Sequence, residues 1–153
     1  MYQHTYFKQQ KNIPTVRYLI DYNGYSEGWA TYVEWNGYKY APVEDKDVLH
    51  LLSIGIHYDG WTYEDYKNYW KENFNIDDEE VMLEQYNLFI ETPTNYLQYY
   101  LSGFLFEDLY NNASKELGDK FSAVDFHEVI LSTGPAPFKI LEKQVNKYIN
   151  SNK

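Results

Sequence analysis

Apolar residues in this chain recur at three- and four-residue intervals almost from end to end, and strand-like alternation is scarce. Such spacing builds amphipathic helices, and the breaks between them are written in capping and stop residues. A first helix is predicted over about residues 2–12, closed by Asn12-Ile13-Pro14. A second runs from near Ser26 to about Tyr38, and Asp45 or Asp47 opens a third that reaches the Asp59-Gly60 break. Thr62-Tyr63-Glu64-Asp65 reads as a capping box for the fourth. Asn75-Ile76-Asp77-Asp78 breaks and recaps the chain, with acids in the next first turn as the helix dipole prefers. That helix ends near Thr92-Pro93, and a long one follows from Thr94 to Leu117 with Gly118 as its stop. Ser122-Ala123-Val124-Asp125 reads as another capping box, Gly134-Pro135 ends its helix, and Phe138 to about Asn150 forms the last. The expectation is an all-α fold, a single domain over residues 1–153 with about seven or eight helices.

Composition narrows what such a fold can do. The chain has 153 residues, enough for one real core. Aromatic residues make up 20%, including 18 Tyr, which favours a core whose ring edges carry hydroxyl and indole donors. Net charge is −10, with Arg17 the single arginine, so electrostatic wrapping of nucleic acid is excluded and an anionic membrane surface repels the chain. No apolar run is long enough to span a bilayer. The absence of cysteine removes disulfides, thiolate nucleophiles and cysteine-rich zinc sites.

Motif chemistry is sparse. The only His-Glu pair, His127-Glu128, lacks the second histidine of HExxH, and His4, His50, His57 and His127 are never three or four apart. Local motifs therefore supply no three-ligand zinc site. "YSEGW" lacks the G-x-S-x-G elbow of a serine hydrolase. The most unusual stretch is Glu27-Gly28-Trp29-Ala30-Thr31-Tyr32-Val33-Glu34, whose two carboxylates lie within roughly 20° of each other on one helical face. Its ordinary reading makes Glu27 an acid at a helix start, stabilised by the dipole and by Ser26 capping. Ordinary readings also exist for Ile54-Gly55-Ile56-His57, a tight helical turn with a core histidine, and for Tyr99-Tyr100-Leu101-Ser102-Gly103, aromatic packing beside a small residue.

Taken in order, SEGWATYVE, GIH-YDGWT, a proline followed by YYLSG, LG-KF and FHEVIL-G resemble the bacterial family called domain of unknown function 885. The resemblance runs from about Tyr22 to Ile149, and SEGWA-Y is its most specific element. It implies a zincin-like metallopeptidase, of which this chain looks like the C-terminal half. The family's HExxH-like motif ends in Pro-Gly-His, and Met1-Tyr2-Gln3 resembles the residues that follow it, so the chain is expected to be a C-terminal fragment. By resemblance Glu27 is the third zinc ligand, and Glu34 orients it from behind, or else is a solvated face residue. His57 and Tyr100 are the expected donors to the oxyanion; Tyr100 is preferred to Tyr99 for its three-residue spacing to Gly103. The chain departs from its relatives at Leu88-Phe89, where they tend to carry Arg-Tyr.

The expected function is part of a zinc-dependent hydrolase, a peptidase acting on peptides or related amides, with zinc bound by the intact protein. The fragment alone is expected to be inactive, to hold no zinc, and to self-associate through an open half-site around Glu27 and Trp29. The rival expectation is a metal-free helical binding module whose exposed Tyr and Trp side chains grip a peptide or glycan.

Overall fold

A computed structural model describes residues 2–37 and 48–153, and among them it holds eight α-helices and no strand. They are α1 (Tyr2–Lys8), α2 (Asn23–Gly37), α3 (Leu49–His57), α4 (Tyr63–Phe74), α5 (Glu79–Glu91), α6 (Asn95–Leu117), α7 (Ala123–Thr133) and α8 (Phe138–Asn152). Single 3-10 turns lie at Thr15–Tyr18 and Gly118–Lys120. The all-α expectation holds. The predicted start of α3 at Asp45 or Asp47, and the end of α2 at Tyr38, fall outside the described residues.

The caps explain most of the boundaries. Thr62 and Asp65 form the reciprocal capping box, the Thr62 side chain accepting from the Asp65 N–H and the Asp65 carboxylate accepting from the Thr62 N–H. Asp78 caps α5 by accepting from the Val81 N–H. Ser122 accepts from the Asp125 N–H, but no returning bond accompanies it among the described contacts, so this cap is one-sided. Two starts and ends differ from the reading of the sequence. Helix α1 stops at Lys8 because Gln9, Gln10 and Lys11 bring no apolar group to bury and Asn12 turns left-handed at φ 65°. Helix α2 begins at Asn23, so Ser26 and Glu27 lie inside it and Ser26 does not cap it.

Two cores are joined along α6. The larger packs Tyr25, Trp29 and Tyr32 of α2 and Phe106 of α6 against Phe126 and Ile130 of α7 and Leu141 and Val145 of α8. The smaller gathers Leu52 and Ile56 of α3, Tyr66 of α4, and Met82 and Phe89 of α5, with Tyr96 of α6 laid against it. Phe89, one of the two departures from the resembled family, is fully buried there, its ring 4.4 Å from that of Tyr96. Of the four tryptophans Trp29 is buried and Trp35, Trp61 and Trp70 are partly buried, each packed against another aromatic ring.

The central pairing is α2 on α6, and glycine makes it close. A Cβ on Gly28 would sit inside contact distance of the Ser102 Cβ and 2.8 Å from the Ser102 carbonyl carbon. On the other side of the crossing a Cβ on Gly103 would lie 3.0 Å from Thr31 Cγ2. Small residues at these positions let the two backbones meet, and the meeting fixes where Glu27 points.

Candidate functional site

Helix α1 packs on α7 and reaches α2 through hydrogen bonds to Ser26. Gln3 Nε2 donates to the Ser26 carbonyl at 3.2 Å, and His4 Nε2 shares a 3.0 Å hydrogen bond with Ser26 Oγ. Phe7 lies on Gly134, where φ is 68° and the ring occupies the space a Cβ would need. The Arg17 guanidinium stacks over Phe7 at 5.3 Å and donates to the Thr133 and Pro135 carbonyls at 2.7 and 3.1 Å. The lone arginine thus ties the 15–21 segment to the end of α7.

These contacts enclose a cavity of ≈ 390 Å³ whose polar wall includes His4, Lys8, Asp21, Ser26 and Glu27. Glu27 is half-buried at its edge. From α6 the Tyr99 phenol lies close enough to the Glu27 carboxylate to feel its charge. Burial, and then the charge of Glu27, raise the Tyr99 pKa above the ordinary phenol value, so the hydroxyl keeps its proton at neutral pH. Of the two tyrosines weighed from sequence, Tyr99 therefore faces Glu27. Tyr100 is buried with its ring 6.1 Å from that of Trp35, two turns further along α2. Tyr100, preferred from the sequence for its three-residue spacing to Gly103, turns toward Trp35 instead.

Glu34 lies on the same face of α2 as Glu27, as its seven-residue spacing requires, but opens into a different cavity. That second cavity, ≈ 670 Å³, is lined by Tyr2, Gln3, Trp29, Ala30, Val33, Glu34, His127 and Leu131. Glu27 and Trp29 do not share one groove, because two residues on a helix are about 200° apart. Glu34 is exposed. His57 is exposed too, at the end of α3, with Nε2 3.0 Å from the Phe89 carbonyl oxygen. No described contact joins His57 to Glu27.

His127 stands out electrostatically. Its Nε2 shares a 2.9 Å bond with the Tyr32 hydroxyl, and Trp29, Tyr110 and Phe126 enclose the ring. Burial lowers its pKa, so the fold favours the neutral ring. The unfolded chain then binds the extra proton first, and the stability this site supplies is complete above the unfolded pKa of about 6.5. It is lost as pH falls from there toward the depressed folded value. Urea midpoints measured at pH 7.5 and 5.5 should fall further for the parent than for His127→Gln; equal falls would mean the ring does not titrate in the fold.

Zinc would need more donors than this face presents. Among the described residues no three His, Cys, Asp or Glu side chains gather to hold a metal ion, whereas catalytic zinc takes three protein ligands. Glu27 borders the first cavity as a half-buried carboxylate with the Tyr99 phenol near it. Among the described residues no helix is long and apolar enough to cross a membrane.

A family model described as "Bacterial protein of unknown function (DUF885)" matches residues 1–145. A crystal structure described as that of the "putative lipoprotein" from Colwellia psychrerythraea is similar over 97% of this chain, with a TM-score of 0.78 and 28% identity. The match covers 28% of that protein's chain, so this chain spans under a third of its length. No curated protein matches.

Proposed function

This chain belongs to the bacterial family DUF885, and from that premise we propose that it forms one wall of a zinc-dependent hydrolase acting on peptides or related amides. The carrying observation is the Glu27 carboxylate, half-buried at a cavity edge with the Tyr99 phenol near it. A carboxylate is stabilised at such a half-dry position by a hydrogen-bond donor, and further by a cation opposite it. Zinc, when bound, supplies Lewis-acid polarisation of the scissile carbonyl. This chain's part is to present the Glu27 carboxylate as one ligand, to fix its orientation through Tyr99, and to border the substrate space with His4 and Ser26. The other ligands belong to a longer polypeptide of which this chain is the C-terminal part. His57 and Tyr100 keep their proposed place as donors only if that longer polypeptide brings substrate to them.

Metal analysis tests the reading. The product of the reading frame extended upstream of Met1 should contain an HExxH-type segment, bind about one zinc and cleave small peptides, with cleavage abolished by chelation and restored by zinc. Peptide cleavage that survives complete zinc removal, or an extended product with neither the segment nor the metal, would overturn it.

A further inference from the structure

The longest helix carries an apolar stripe that the proposed active site does not use. Leu97, Leu101, Leu105 and Leu109 follow one another at four-residue spacing along α6. Leu101 is 62% exposed and Leu105 37%. They line two adjoining cavities of ≈ 530 and ≈ 570 Å³ that share Leu105 and Phe138, so the stripe is the floor of one groove between α6 and the start of α8. Its upper end is walled by Tyr22. An i, i+4 row of leucines is the ridge that a second helix packs against.

We infer that this groove receives an amphipathic helix with leucine-type residues at four-residue spacing and basic flanks. Charge selects the occupant. The rim of the lower cavity carries Asp108 and Glu142 against one cation, Lys139, and neither acid is ion-paired among the described residues. A second copy of this chain would bring net charge −10 against −10, and the repulsion works against self-pairing there. A cationic helix meets both the apolar floor and the acidic rim.

The test uses the whole 153-residue chain and two synthetic 18-residue helical peptides with the same leucine row, one flanked by lysine and one by glutamate. Fluorescence anisotropy should show the lysine peptide binding at least about tenfold tighter than the glutamate peptide, with affinity falling as salt rises. Leu101→Glu adds negative charge yet should abolish binding, because the floor is broken; its exposure makes it harmless to the fold, which circular dichroism checks. Binding of the lysine peptide unchanged by Leu101→Glu would be charge attraction alone and would overturn the inference. So would no binding of either peptide, or a dimer of this chain that Leu101→Glu dissolves.

Discussion

If Glu27 is a zinc ligand as proposed, changing it to Gln in the complete protein should remove zinc and activity together, because the amide keeps the shape and loses the charge that would hold the metal. Tyr99→Phe is the informative partner. It keeps the ring beside Tyr96, 6.3 Å between centroids, and deletes only the hydroxyl proposed to orient the carboxylate. Loss of an orienting partner typically costs 10- to 100-fold in metal affinity, so zinc titration should weaken by about that factor while turnover at saturating zinc stays near the parent. His57→Ala separates the remaining role. It breaks the bond to the Phe89 carbonyl, and zinc content should not change. If His57 meets the oxyanion, turnover falls roughly 10²- to 10³-fold; if it only ties α3 to α5, the melting temperature falls and turnover per folded molecule does not. Tyr99→Phe with unaltered zinc affinity would remove the orienting role proposed for the phenol.

Gly28→Ala should be among the most damaging single methyls in the described chain. The added carbon has no space against the Ser102 backbone, and backbone on both sides cannot rotate away as a long side chain would. Overpacking of this kind costs about 1–3 kcal/mol. At roughly 2–4 °C per kcal/mol for a chain of this size, the melting temperature should drop by several degrees. Pushing α2 off α6 also carries Glu27 away from Tyr99, so zinc affinity in the complete protein should weaken as well. Gly37→Ala is the control: nothing lies within 4 Å of its added carbon, and replacing a helical glycine by alanine is neutral or slightly favourable. Equal melting temperatures for the two variants would show that the crossing is looser than its geometry.

Much of this molecule is local, and the sequence wrote it. Helix spacing, the Thr62–Asp65 capping box, the Asp78 cap and the Gly118 stop all depend on residues within four positions of one another, so periodicity and cap chemistry suffice to read them. The shared face of Glu27 and Glu34 is legible for the same reason. The motif order also carried the family, since SEGWA-Y names a glycine that the α2–α6 crossing requires.

What the tertiary structure decided are the long-range pairings. Ser26 looked like a cap and became the partner of His4, because α1, docked on α7, reaches α2 from 22 residues away in the chain. Tyr99 and Tyr100 are equivalent by composition and differ only by the 100° between neighbours on α6; the register of the Gly28–Ser102 contact sends the first to Glu27 and the second toward Trp35. The two cavities that Glu27 and Glu34 border likewise exist only once α1 has docked. Spacing fixes which side of its own helix a residue occupies, but what stands opposite is set by how helices cross, and that depends on where two backbones can touch.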